Sequence, residues 1–352
     1  MLFRSLGCDP ADAAELAAAL LARPHPVVPA AAAVWHGQAP HSDAVTRWLA
    51  GLPASVQTGP VPGQAELDQW ARDHTSGLID SFPVRSDPSI WLVAVTALAT
   101  RVSWEEPFDV APASALGPSG PWAGQLSRVL RTPGGFGHRQ FVAATEAAGD
   151  VAVHTARAQG DLQVTSVVAA PEVDAQDVLA VAYDLATTLA AGGHVSLRSL
   201  FDLPLGEGPL GTVSELSARV ESASGREEEC TAVLPAWSAR SSHDLSHPGL
   251  GFAAAVSALA PGPWVVQQDA VARFGRVGFE AAALTSAAAG AAAMPASRPG
   301  LIRTAELRFG RPYAVVAVVA EGFGSGLRPS PWAGLPVFSA WVAQPEDADP
   351  ED

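Results

Sequence analysis

The chain has 352 residues, of which 48% are hydrophobic, enough for a sizeable core in one large domain or two modest ones. Its formal net charge of −15 repels phosphate backbones and anionic lipid, which excludes nucleic acid and membrane surfaces as partners. It contains neither Lys nor Asn, no run as long as a membrane helix and no signal peptide at its start, so we predict a soluble, cytoplasmic protein.

The first hundred residues predict helices around short strands. Asp9 is a favourable N-cap, and Pro10 suits the first position of a helix. His74 shares one helical face with Leu67 and Trp70, which favours an interfacial side chain over a metal ligand. The predicted elements are helices over 10–22, 43–52 and 64–79 and a strand over 31–36.

An apolar run follows over 91–100 and leads to the ending Trp104-Glu105-Glu106-Pro107-Phe108. It is apolar for too long to be a half-exposed strand, so it predicts a central strand covered on both faces.

The rest of the chain alternates between strand and helix patterns. An alternating segment over 151–170, with a turn at 159–161, predicts a β-hairpin, and 174–190 predicts a helix. The other distinctive segments are a Leu-Pro-x-aromatic ending at 230–237, His243-Asp244-Leu245, a strand over 267–274, an Arg-Pro-aromatic motif at 309–313 and a last strand over 336–345.

These motifs, in this order and spacing, resemble the serpin (serine protease inhibitor) family in a divergent, bacterial-type form. The resemblance implies one α+β domain over 1–345 with a large central sheet, a small barrel-like pair of sheets and surrounding helices. An exposed reactive-centre loop is expected at about 275–305, and 346–352 is expected to be a frayed acidic tail. Residues 1–7 resemble the end of the family's second helix. The first helices are therefore predicted to be missing, through a misplaced start codon or a decaying gene.

The resemblance also assigns positions in the expected central sheet. Trp104 corresponds to the family's breach, where the sheet opens first. Thr96 and Gln268 stand where the family's shutter pairs an Asn with a His. A hydrogen bond between them is still chemically feasible, in a different arrangement.

The most unusual stretch is a small-residue tract over 278–294, between two predicted strands. Structureless connections of this length are usually functional or disordered. It is either a flexible linker filled with alanine or a strand able to enter a sheet once one end is free. The resemblance implies the second: a protease cleaves the loop, stays attached as an acyl-enzyme, and is carried along as the upstream half inserts.

The hinge of that loop matches the family pattern only in part. Gly278, Glu280 and the alanines Ala281, Ala282 and Ala283 match. Arg276 replaces an acidic residue, and Phe279 replaces the small hydroxyl residue that enters first. A bulky ring there is expected to slow the opening step. The residues expected to face inward after insertion are Phe279, Ala281, Ala283, Thr285, Ala287 and Ala289.

The family's spacing places the cleaved bond between Ala292 and Ala293. Small residues there imply a serine protease of elastase-like or subtilisin-like specificity as the partner. Because the loop is longer than usual, Met294, Arg298 and Arg303 are alternative sites.

Other motifs are weak. A G-x-G-x-x-G match at 206–211 lacks the preceding strand of a dinucleotide site. His243 and His247 have ligand spacing but no third partner. Cys8 and Cys230 are expected to be small buried residues. We therefore predict a monomer that is not an enzyme and has no cofactor or metal. Two interpretations stay open: an inhibitor of serine endopeptidases, and a non-inhibitory serpin-fold protein with a binding or vestigial role.

Overall fold

The computed structural model shows an α+β fold with a large sheet, few helices and several smaller sheets. None of the helices among the described residues is long and apolar enough to span a membrane. The residues that the structure describes are 10–28, 30–37, 43–75, 77–87, 90–98, 102–118, 120–244, 267–279, 298–320 and 330–350.

Within these ranges the α-helices are α1 (Pro10–Ala22), α2 (Asp43–Ala50), α3 (Gln64–His74) and α4 (Ala175–Ala190). The first nine strands are β1 (Ala30–His36), β2 (Val56–Pro60), β3 (Leu92–Leu98), β4 (Val102–Ser103), β5 (Asp109–Pro112), β6 (Arg128–Arg131), β7 (His138–Thr145), β8 (Gly149–Ala158) and β9 (Leu162–Val168). The others are β10 (Gly206–Gly208), β11 (Gly211–Val220), β12 (Arg226–Leu234), β13 (Trp237–Asp244), β14 (Gln267–Phe274), β15 (Gly278–Phe279), β16 (Arg298–Arg308), β17 (Tyr313–Val319) and β18 (Pro336–Val342).

The chain divides into two compact units, one formed by 1–100 with 239–272 and the other by 101–238 with 273–352. The single domain expected over 1–345 stays a prediction. Strands β13 and β14 pair with each other in a two-stranded sheet.

The first unit contains the sheet β2-β1-β3, with α3 packed on one face. Trp70 of α3 lies edge-on to Trp35 of β1, with ring centroids 5.4 Å apart. His74 stacks on Trp70 at 4.4 Å and bonds its backbone carbonyl, which confirms an interfacial side chain. The helix ends at His74 and not near 79, because Gly77 takes a positive φ of 77° and its amide bonds the Arg72 carbonyl at 2.9 Å. The Ile79 amide then bonds the Thr75 hydroxyl and does not continue the helix.

Strand β3 pairs antiparallel with β1. Its Val93 and Ala97 are buried, whereas Ala94 and Thr96 are exposed, so the prediction of a strand covered on both faces is wrong. The exposed face of β3 carries alanine and threonine, small residues that are tolerated in contact with water. The sequence of the strand is therefore mostly apolar although only one of its faces is buried.

The second unit contains the sheet β18-β17-β9-β8-β7, with α4 covering one face. The predicted hairpin is confirmed as β8 and β9, and Gly160 and Asp161 turn between them with positive φ values of 71° and 62°. The predicted helix is also confirmed, with Asp174 as its N-cap residue.

The large sheet of this unit has the order β10-β11-β16-β12-β6-β5. The G-x-G-x-x-G match forms the tight hairpin of β10 and β11, with Gly208 opposite Gly211. A Cβ at Gly211, whose φ is 139°, would lie 1.9 Å from the Glu306 carbonyl oxygen. Strand packing therefore explains this glycine, and the motif has no dinucleotide setting.

The acidic tail is anchored over 346–349, which corrects the expectation of fraying. The Glu346 amide bonds the Ala236 carbonyl at 2.7 Å, and the Asp347 carboxylate accepts the Ser127 and Arg128 amides. Ala348 is fully buried.

Candidate hinge of the reactive loop

The predicted hinge starts as a short strand within the second unit. Gly278 and Phe279 form β15, which pairs antiparallel with β4, Gly278 opposite Ser103 and Phe279 opposite Val102. In the sequence, β4 follows β3 after residues 99–101.

A tight turn over 275–278 precedes this strand, and each of its four carbonyl groups accepts a hydrogen bond. The Gly275 carbonyl accepts the Trp104 indole N–H at 3.0 Å, and the Gly278 carbonyl accepts the Gly275 amide at 3.1 Å. The Arg276 carbonyl accepts the Phe108 amide at 2.9 Å, and the Val277 carbonyl accepts the Trp104 amide at 3.0 Å. The 104–108 segment therefore fixes the turn from which the hinge starts.

Glycine at 278 is required by close packing. A Cβ there would lie 2.3 Å from the Val102 carbonyl oxygen and 2.8 Å from the Ser103 Cα, both backbone atoms that cannot rotate away.

We therefore expect Gly278→Ala to separate β15 from β4, at a local cost of about 1–3 kcal/mol. Hydrogen exchange in a peptide covering 102–104 should accelerate by about tenfold or more. Gly124→Ala is the matched control, because a Cβ at Gly124 meets nothing within 4 Å. Equal exchange in both variants would contradict the packing explanation.

Buried aromatic rings support the hinge turn. Trp104 lies 5.0 Å from Phe274, the last residue of β14, and 6.1 Å from Phe108. Trp237 stacks on Phe274 with the rings 12° from parallel. All four side chains are at most 3% exposed, so the turn rests on a close-packed cluster.

Two buried histidines lie beneath this cluster. His138 Nε2 lies 2.7 Å from the Glu106 carbonyl oxygen, and His138 Nδ1 lies 3.1 Å from His154 Nε2. The Phe108 ring lies 4.4 Å from His138 and 5.4 Å from His154. Burial lowers the pKa of His138, although the bond to the Glu106 carbonyl opposes it. Burial, with a smaller effect of His138, holds the pKa of His154 well below its usual value.

A glycine-rich loop before β7 closes over Glu106. A Cβ at Gly135 would lie 2.0 Å from a Glu106 carboxylate oxygen, and one at Gly137 would lie 2.7 Å from the Glu106 Cβ. The Gly137 amide also donates to that carboxylate at 3.3 Å. These contacts fix the position of the residue whose carbonyl receives the His138 bond.

Other predicted site residues are placed as follows. Trp104 lies in the hinge support, and Thr96 is exposed on β3 with its backbone opposite Ala32. Gln268 lies in β14, but its side chain is outside the described residues, as is that of Phe279. The remaining hinge and cleavage-site residues, which lie wholly outside them, are Glu280, Ala281, Ala282, Ala283, Ala292, Ala293 and Met294.

The predicted end of the loop, at about residue 305, is wrong, because residues 298–308 form β16. Arg303, an alternative cleavage site, bonds Glu215 at 2.8 Å and packs its guanidinium on Phe201. Arg298 donates to the Ala223 carbonyl. Strand pairing and these contacts make both arginines poor protease targets. The sequence missed this because their partners lie about 75 to 100 positions away.

Chemistry outside the hinge is limited. Among the described residues there is no group of three or more His, Cys, Asp or Glu side chains arranged to hold a metal ion. Burial raises the pKa of Cys230 to about 11, so its thiol is a weak nucleophile at neutral pH. A cleft of about 310 Å³ lies beside Glu207 and Arg311. Both charges already have partners in the chain, since Glu207 binds Arg308 and Arg311 bonds the Ala169 and Pro209 carbonyls.

Comparison with solved structures identifies the fold. Tengpin, a thermophilic serpin in its native state, matches with a TM-score of 0.53 and 13% identity, over 90% of this chain and 73% of that one. Human thyroxine-binding globulin in complex with thyroxine matches with a TM-score of 0.60 and 11% identity, over 98% and 85%. Serpin48 from the insect Tenebrio molitor matches with a TM-score of 0.54 and 11% identity, over 97% and 84%.

This chain is a serpin-fold protein. At 11–14% identity, the likeness establishes the fold alone. A scan against protein-family models and a search of curated proteins found no match.

Proposed function

We propose that this serpin-fold protein inhibits serine endopeptidases as a suicide substrate, through loop cleavage and strand insertion. The observation that carries the proposal is the pairing of Gly278 and Phe279 with β4. The first two residues of the predicted inserting segment already have strand geometry, so insertion extends an existing ladder and avoids the nucleation of a new one.

The proposal requires a strand edge that can accept the rest of the segment. Within the described residues, β3 pairs with β1 alone, so its other edge has no strand partner there. The resemblance to serpins implies that the segment inserts into the sheet to which β3 belongs. Ala94 and Thr96 of β3 are small and exposed, so the side chains on that face of the strand leave room for those of an added strand.

The downstream end of the loop has a firm anchor. Strand β16 pairs with β11 over ten residue pairs, Gly211 to Val220, and with β12 on its other edge. The Arg303–Glu215 and Arg308–Glu207 ion pairs add to this anchoring. After cleavage the downstream fragment stays in its sheet, and the upstream end is the one released to move.

The test is incubation with pancreatic elastase and with subtilisin, followed by a denaturing gel. An acyl-enzyme trapped by insertion gives a band that survives SDS, because the ester between the protease and the upstream fragment is covalent. Its mass is that of the protease plus the upstream fragment, since SDS releases the downstream fragment, which is held only by strand pairing. Protease whose active-site serine has been blocked beforehand is the control and should give no such band. Complete cleavage without a covalent band would overturn the proposal.

A second candidate is a non-inhibitory serpin-fold protein with a binding or vestigial role, favoured by Phe279 and Arg276 in the hinge. A bulky ring at the start of the inserting row slows the entry of the residues that follow it, so the acyl-enzyme hydrolyses before it is trapped. This function predicts cleavage as an ordinary substrate. In either role we propose a monomer without enzymatic activity, cofactor or metal, and in the first its partner is a serine protease that prefers small residues.

A further inference from the structure

The buried pair His138–His154 has no role in the proposed inhibition, yet its bonding is specific. His138 Nε2 faces a carbonyl oxygen, which only accepts, so this nitrogen carries the proton. In a neutral ring His138 Nδ1 is then the acceptor, and His154 Nε2 must donate to it. His154 Nδ1 is left as a buried acceptor, without a hydrogen-bond partner among the described residues.

This arrangement leaves no favourable place for an additional proton. On His138 Nδ1 it would either set two N–H groups against each other at 3.1 Å or force His154 into its other tautomer, whose buried Nδ1–H has no acceptor among the described residues. On His154 Nδ1 it would place a charge in a side chain that is fully buried.

The elements packed around the pair offer little compensation for such a charge. Phe108, Phe309 and Ser166 contribute uncharged side chains from the 104–108 segment, the start of the β17 region and β9. The carboxylate that acts on the pair is that of Glu106, which raises the pKa of His138 less than burial lowers it. Arg139 and Arg157, on β7 and β8, are exposed.

The pair is connected directly to the hinge turn. His138 Nε2 bonds the Glu106 carbonyl, and the rings of both histidines contact Phe108. The Phe108 amide bonds the Arg276 carbonyl, and the Trp104 amide bonds the Val277 carbonyl. The 104–108 segment therefore contacts both the histidine pair and the turn, so a movement of this segment that admits water to the pair also disturbs the turn.

We propose that His138 and His154 form an acid-sensitive latch, which fixes the 104–108 segment and the 275–278 turn at neutral pH and releases them on acidification. The latch depends on the observed hinge turn and does not require protease inhibition.

The direction of the pH dependence follows from the folded-state pKa values, which lie below the usual value of 6.5 for both rings. The open state binds more protons than the closed state once the pH falls below that value. Closure is therefore fully stable above about pH 6.5 and weakens progressively as the pH falls toward the lowered pKa values.

Hydrogen exchange at about pH 7.5 and about pH 5, corrected for the intrinsic rate, tests the latch without any protease. The peptide covering 102–110 contains the Trp104 and Phe108 amides that bond the turn. Its protection should fall by about tenfold or more at the lower pH, because the open state takes up protons that the closed pair excludes. A peptide from α4, covering 178–186, should keep most of its protection and so separates local opening from global unfolding.

Two variants and one control decide the assignment. His154→Leu removes the buried titrating ring, and His138→Gln keeps a donor for the Glu106 carbonyl without titrating. Each should reduce the pH-dependent fall at 102–110. His194→Gln alters an exposed histidine and should behave as the wild type. The latch is refuted if both core variants show the wild-type fall, if the wild type shows none, or if 178–186 loses protection by the same factor.

Discussion

Cleavage between residues 280 and 297 by elastase or subtilisin is expected to raise the thermal unfolding midpoint by about 6 °C or more. The freed segment would add backbone hydrogen bonds along the edge of β3 that has no strand partner among the described residues, and this strand spans seven residues, Leu92–Leu98. At about 0.5–1.5 kcal/mol per bond, seven bonds contribute roughly 3–10 kcal/mol. Since each kcal/mol of added stability raises the unfolding midpoint by about 2–4 °C, these bonds account for the expected rise. Differential scanning calorimetry of intact and cleaved protein measures it.

A proline in the inserting segment distinguishes insertion from simple nicking. Ala283→Pro removes a donor within the proposed strand and should abolish the rise in midpoint. Ala296→Pro is the matched control, because it lies downstream of the predicted bond between Ala292 and Ala293 and should leave the rise intact. Mass spectrometry verifies that both variants are cleaved. A midpoint that stays level in the cleaved wild type would show that the loop does not insert, and would favour the non-inhibitory role.

Local signals in the sequence predicted most of the elements. Pro10 begins α1, Asp174 precedes α4, and the turn at 159–161 joins β8 and β9, because caps and turns depend on a few adjacent residues. The ordered motifs predicted the serpin fold, which the structural matches confirm. The periodic pattern overestimated the length of α3, because the positive φ of Gly77 ends the helix before the predicted 79.

The support of the hinge was harder to predict, because it consists of contacts between distant positions. His138 and His154 meet only through the pairing of β7 with β8, and the Trp104 indole bonds a carbonyl 171 residues away. Strand β11 of the β10–β11 hairpin pairs with β16 in a register that neither segment specifies by itself. Such contacts follow from topology, so a periodicity analysis of single segments does not detect them. The cleavage-site residues Ala292 and Ala293 stay a prediction from the sequence.

Because of these distant contacts, we expect the loss of the Trp104 side chain to destabilise the hinge more than any other single substitution there. Trp104→Ala is expected to destabilise the second unit by about 3–5 kcal/mol, since a ring only 3% exposed leaves a cavity between Phe108 and Phe274. It also leaves the buried Gly275 carbonyl without its indole donor. Urea unfolding followed by circular dichroism measures the loss.

The same substitution should expose the hinge turn, and that local effect separates a hinge role from general core packing. Trypsin cleavage after Arg276, whose carbonyl is bonded by the Phe108 amide, should accelerate in Trp104→Ala. Trp122→Ala is the matched control: it removes an equally buried indole that packs on Tyr313, away from the turn, and should leave that rate near the wild-type value at equal global stability. Trp104→Phe retains a ring but lacks the N–H group, so it should lose only about 1–3 kcal/mol and show intermediate cleavage. If Trp122→Ala is cleaved after Arg276 as fast as Trp104→Ala, the turn opens by global unfolding, and Trp104 does not specifically stabilise the hinge.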